Sequence, residues 1–173
     1  SLRALFPPTH GLAALKCLNA LDKHAQDFIR RSPFLCIGTQ NGEGKADVSP
    51  RGDPAGFVGI LDARALAIPD RPGNNRLDTL SNIIANPVVG LLFMVPGFDE
   101  TLRVNGRASL STDPAILNRL AVNDRIPTVA IVVNPDRLAA LSEPHRGWLT
   151  AAANDAAGLS SGLADQDGPL VLS

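Results

Sequence analysis

The sequence is poor in the residues that carry metal and thiol chemistry, and it has no excess of either charge. Its two cysteines, Cys17 and Cys36, stand without CxxC spacing or partner histidines. That argues against a zinc site or a redox pair and for buried free thiols. The 16 Lys and Arg are offset by 17 Asp and Glu, so the net charge of -1 offers no overall attraction to nucleic acid or to an anionic membrane. No apolar run approaches the roughly 20 residues needed to span a bilayer, and no charged leader with an apolar core opens the chain. A cytoplasmic protein with neither nucleic-acid nor membrane partner is the expectation. HExxH, nucleophile-elbow and zinc-ligand spacings are absent too. The segment Gly42 to Lys45 echoes a phosphate loop, but Thr39 stands where its first glycine belongs and Ala46 where Ser or Thr should follow. Any anion chemistry must therefore be local.

What is present is patterned apolar sequence. The length of 173 residues suits a single core. We expect one domain over residues 1–150, and an irregular tail over 151–173 where Ala, Gly, Asp and Ser dominate. From His10 to Arg31, Leu12, Leu15, Leu18, Leu21, Ala25, Phe28 and Ile29 recur at helical spacing, with a division expected near Asn19 to Asp22. Ser32-Pro33 stops the helix. Strands are expected at Phe34–Gln40 and Lys45–Pro50 around an Asn41-Gly-Glu-Gly44 turn, then at Phe57–Asp62 and Ala65–Pro69. A helix over Asn75–Ala85, capped by Asn74 or Asn75, leads to strands at Val88–Val95 and Leu102–Ser111. The second of these alternates, with Arg103, Asn105 and Arg107 on one face. Thr112 or Asp113 caps a short helix with Pro114 in its first turn, and Thr128–Val133 reads as a buried strand.

Six or seven short, largely antiparallel strands with few helices suit a barrel that removes its own edges by closure. A doubly wound parallel sheet would need a helix between nearly every strand pair, yet the first two strands are joined by a tight turn. Within this order, Ala65 to Arg76 (ALAIPDRPGNNR) is an apolar strand that ends in a Gly/Asn turn carrying two arginines. Such a turn is built to hold an anion. Lys45 to Asp53 (KADVSPRGD) and Glu100 to Ala108 (ETLRVNGRA) place further Ser, Asn and Arg at neighbouring strand ends.

Together these segments resemble the flavin-binding split barrels related to pyridoxamine phosphate oxidase, in a bacterial branch with SPRG, PDRPGNNR, NPxVGLLFxVPG and ETLRVNGRA in order. Here the motifs stand at Ser49 to Gly52, Pro69 to Arg76, Asn86 to Gly97 and Glu100 to Ala108, and the resemblance runs from about Leu21 to Val133. It implies a β-rich α+β fold: a split β-barrel of about six antiparallel strands with peripheral helices. It also implies a homodimer with FMN at the interface, acting on a small-molecule substrate.

Site residues follow from the same resemblance. Arg76 is the first choice for the phosphate, because a guanidinium binds two of its oxygens at once. Asn75 and the backbone N–H groups opening the helix add donors. Ile68, Pro69 and Asp70 would present main chain to one edge of the flavin, while Ser49, Pro50 and Arg51 would reach its other side. Thr101 and Arg103 would come from the partner subunit. Taken alone, any of these arginines reads first as a surface charge, and His24 as a packed or surface histidine. The implied activity is an FMN-dependent oxidoreductase; the alternative is a non-catalytic flavin or haem binder, and a deazaflavin could replace FMN. The pyridoxamine phosphate oxidase reaction itself is disfavoured, because only His145-Arg146-Gly147-Trp148 stands in for the basic segment that it needs near the C-terminus.

Overall fold

The computed structural model describes residues 5, 17–18, 20–73 and 76–139. The elements are β1 (Cys17–Leu18), α1 (Lys23–Arg31), β2 (Phe34–Gln40), β3 (Ala46–Gly52), β4 (Gly59–Asp62), β5 (Ala65–Pro69), α2 (Asp78–Ala85), β6 (Val88–Met94), β7 (Thr101–Ser111), α3 (Pro114–Arg119) and β8 (Ala130–Ala139). Their strands form one sheet in the order β3-β2-β6-β7-β8-β5-β4, with β1 added beside β8. Every pairing is antiparallel.

Local chemistry accounts for the elements. Asp22 caps α1 by accepting a 2.8 Å hydrogen bond from the Ala25 N–H, and α1 buries Ala25, Phe28 and Ile29 against the sheet. Phe28 meets Phe98 edge to face with ring centroids 6.5 Å apart. The chain then turns at Ser32, whose buried hydroxyl lies 2.7 Å from the carbonyl oxygens of both Phe34 and Met94. In the β2–β3 turn, the Asn41 side chain accepts from the Glu43 and Lys45 N–H groups, and Gly44 takes the positive φ of 86° that closes the loop. Asp113 caps α3 through the Ala115 N–H, with Pro114 in its first turn.

Alternation sets the core. Leu35 and Ile37 of β2 stand opposite Phe93 and Leu91 of β6, which in turn face Leu102 and Val104 of β7, and all six are buried. On the opposite side of β7, Thr101, Arg103, Asn105 and Arg107 are exposed, as the alternating pattern predicts. β5 is buried on both faces: Leu66 and Ile68 pair with Val133 and Ile131, while Ala67 packs with Leu117 and Leu120 under α3. That double burial explains its unbroken apolar run.

Several expectations are corrected. Of the helical stripe expected from His10 to Arg31, Lys23–Arg31 is helix and Cys17–Leu18 is strand instead, because pairing with β8 overrides the apolar periodicity there; residues 10–16 and 19 lie outside the described residues. Cys36 is half-buried on the outer side of β2 rather than enclosed. The next helix starts at Asp78, not Asn75; its N-cap Leu77 makes no side-chain cap bond, and Asn74 and Asn75 lie outside the described residues. β3 runs through Pro50 to Gly52, which is tolerated because β3 ends the sheet and needs no ladder donor on its open side. β8 continues past Pro135 to Ala139. The tail over residues 151–173 and the segment His145 to Trp148 fall outside the described residues. Finally, the sheet is not closed: among the described residues its path stops at β3 on one side and β4 on the other. The split barrel is the fold, and the continuous closure expected from strand count is absent.

The bend that lets β7 serve both halves is a bulge between Asn105 and Gly106, where the β7–β8 register shifts. A Cβ at Gly106 would collide with the Asn134 carbonyl oxygen, a backbone atom that cannot swing away. Gly106→Ala should therefore cost about 3 kcal/mol of stability, read as a lowered midpoint in urea denaturation; an unchanged midpoint would show that the bulge relaxes freely.

Candidate functional site

The open side of the barrel lies between the inner face of β3 and the chain that leaves β5. Along β3, Asp47, Ser49 and Arg51 are half-buried and alternate with exposed Ala46, Val48 and Pro50. They line a cavity of about 560 Å³ together with Phe57, the segment from Pro69 to Gly73, and the entry to α2 from Arg76 to Thr79. Ligand sites commonly span roughly 300–1,000 Å³. A smaller recess of about 270 Å³ adjoins it and shares Asp47, Arg76 and Asp78.

Two ion pairs cross the seam. Arg51 Nη1 donates to Asp70 Oδ1 at 2.8 Å, and Arg71 Nε donates to Asp53 Oδ2 at 2.7 Å. All four side chains are largely shielded, with exposures between 18% and 29%, so these pairs hold more than an ordinary surface pair would. Arg71 does more: Nη2 donates to the Leu120 carbonyl at 2.9 Å and Nη1 to the Arg125 carbonyl at 3.3 Å. Its guanidinium joins β3, the β5 exit and the turn after α3. Arg51 differs, because its buried Nε has no hydrogen-bond partner. A buried N–H left without an acceptor is costly.

The third arginine is placed otherwise. Arg76 Nε and Nη2 each lie 2.8 Å from Asp78 Oδ2, with exposures of 74% and 53%. α2 itself is pinned from below, since buried Asn82 donates to the Thr39 hydroxyl of β2 at 3.0 Å. That bond fixes the helix whose first turn forms the cavity wall.

Of the residues singled out in the sequence, Ser49, Pro50, Arg51, Pro69, Asp70 and Arg76 line this one cavity. Ile68 does not; its side chain is fully enclosed in the core, leaving only main chain for any contact. Asn75 lies outside the described residues. Thr101 and Arg103 sit on the exposed face of β7 and are not among the cavity residues of their own chain. Asp70 and Asp78 both line the cavity, each on its own arginine. Sequence reasoning missed Asp47, which the period of two from Ser49 and Arg51 would have found, and Phe57, Leu77 and Thr79, which carry no such signal. Among the described residues, no group of three or more His, Cys, Asp or Glu is placed to hold a metal ion, and no helix is long and apolar enough to cross a membrane.

The sequence model of the pyridoxamine 5'-phosphate oxidase family matches residues 21–149, well over half of the chain. The chain belongs to that family. No curated protein sequence matches it significantly. Among solved structures it is similar to HupZ of Group A Streptococcus, at 15% identity and a TM-score of 0.57, covering 70% of this chain and 94% of that one. It is also similar to general stress protein 26 of Bacillus anthracis, at 20% identity and a TM-score of 0.52, covering 67% and 89%. An FMN-binding protein of Syntrophomonas wolfei matches at 9% identity and a TM-score of 0.52, covering 71% and 88%. At these identities the likenesses establish the shared fold of this pyridoxamine 5'-phosphate oxidase relative, and nothing finer.

The seam pairs carry a testable consequence. Arg71→Lys keeps the charge but loses the planar fork that reaches Asp53 and two carbonyls at once. We expect a loss of about 2 kcal/mol in urea unfolding, and unchanged stability would show that the fork contributes no net holding.

Proposed function

We propose that this chain binds FMN in the cavity between β3 and α2 and acts as an FMN-dependent oxidoreductase on a small cytoplasmic substrate. The observation that carries the reading is a ligand-sized cavity of about 560 Å³ with Arg51 on its β3 wall and Arg76 at the entry to α2. FMN offers both a phosphate and a ring edge rich in acceptor atoms, and two arginines on separate walls suit that pair of needs. In this reading Arg76, with Asn75, holds the phosphate. Ser49, Pro50 and Arg51 meet the ring from β3, and the main chain at Ile68, Pro69 and Asp70 meets it from β5.

When bound, the flavin supplies the hydride or electron transfer, so the protein's part is position and electrostatics. Asp70 holds Arg51 in place and offsets part of its charge, which makes this pair the natural control on the flavin's potential. Phe57, almost fully buried in the cavity wall, excludes water on that side.

A homodimer belongs to the same proposal. The outer face of the sheet carries rows such as Pro50–Cys36–Leu92–Arg103 and Gly52–Phe34–Met94–Thr101, and Val48, Val88 and Phe34 are exposed there. Covering this apolar face with a second copy would bury it and bring Thr101 and Arg103 toward the partner's cavity.

A second reading, a non-catalytic flavin or haem binder, draws on the pairing of all three cavity arginines with carboxylates, which equips the lining for holding more than for proton transfer. Bound flavin that is inert to NAD(P)H and oxygen would favour it. For the leading proposal, Arg76→Ala should weaken FMN binding about tenfold, or about 1.4 kcal/mol, in a fluorescence titration. The modest figure reflects the exposure of Arg76, and full retention of FMN affinity would place the phosphate elsewhere.

A further inference from the structure

The lining of the larger cavity is charge-balanced: Arg51, Arg71 and Arg76 stand against Asp47, Asp70 and Asp78. Each guanidinium already meets a carboxylate, so an anion that enters competes with one for it. The three arginine pairs are not equal in this respect. Arg51–Asp70 and Arg71–Asp53 are shielded and tie β3 to the β5 exit, so opening either would break the seam. Arg76–Asp78 is exposed at 74% and 53%, links residues only two apart in sequence, and holds no strand to another. An exposed pair of this kind is the weakest of the three and the one that a ligand can open.

We propose that Asp78 is the residue that sets which anions the cavity accepts, by competing with the ligand for the Arg76 guanidinium. The inference rests on the reading that Arg76 anchors the phosphate. The two contacts that Arg76 makes to Asp78 go to a single oxygen, Oδ2, where a phosphate would present two oxygens in parallel. A phosphate monoester near its dianionic state carries more charge than the carboxylate it replaces and can accept in parallel. A ligand carboxylate would exchange one carboxylate for another and gain little. Asp78 thus raises the threshold for entry and favours phosphate esters over carboxylate ligands. It also stands at the first position of α2, where its negative charge complements the helix N-terminus, so it remains seated once displaced from Arg76.

The test is a fluorescence titration of the full chain with FMN and with riboflavin, which lacks the phosphate. Asp78→Asn should tighten FMN about two- to fivefold while leaving riboflavin unchanged, and Asp78→Glu should behave as the parent. In the Arg76→Ala background, Asp78→Asn should have no effect on either ligand. If Asp78→Asn weakens FMN or leaves it unchanged while Arg76→Ala weakens it, Asp78 orients Arg76 rather than competing for it, and the inference is overturned with the anchor intact. Equal shifts for both flavins would also overturn it, by showing an effect through α2. An Arg76→Ala variant with undiminished FMN affinity would instead remove the anchor itself, a different failure.

Discussion

The structure depends on an antiparallel sheet whose path, among the described residues, does not close. A sheet with two open edges must keep its interior from opening to water, and between β3 and the exit of β5 the joining contacts are ion pairs. Arg51 on Asp70 and Arg71 on Asp53 cross between β3 and the exit of β5 at 2.8 and 2.7 Å. Because the joining groups are ionic, the seam is lined with guanidinium and carboxylate groups, and the space between the strands becomes a polar cavity instead of a core. The gap in the barrel and the candidate site are one feature.

Packing around the seam is organised to keep that geometry. β5 is enclosed on both faces, by β8 and by α3, so the segment that carries Asp70 and Arg71 leaves a fixed strand. α2 is held by the buried Asn82–Thr39 hydrogen bond, so the wall bearing Arg76 and Asp78 is set by β2. In contrast, the Arg76–Asp78 pair itself is exposed and ties no two elements together. The cavity therefore has two rigid walls and one polar contact free to rearrange, which is what a binding site for a charged ligand requires.

Much of the fold was legible because local signals agreed with the tertiary result. The bounds of β2 and β5, the Asn41 turn, the alternation of β7 and the Asp113-Pro114 cap all follow from neighbours in sequence. Errors arose where distant partners decide. Cys17–Leu18 lies on an apolar helical stripe, yet it pairs with residues Leu138 and Ala139. The function of Arg71 depends on Asp53, Leu120 and Arg125, residues 18 to 54 positions away, so no local reading could separate it from an ordinary surface arginine. Six of the ten nominated site residues meet in one cavity because motif order preserves strand-end geometry. Ile68 was read as a main-chain contact, and its side chain serves the core.

The central claim is that the seam cavity holds a flavin. It is tested most directly by saturating the purified full chain with FMN, separating unbound ligand by gel filtration and recording the visible absorbance spectrum. The account predicts that oxidised-flavin bands elute with the protein at close to one flavin per chain. Protein that emerges colourless after saturation would contradict it.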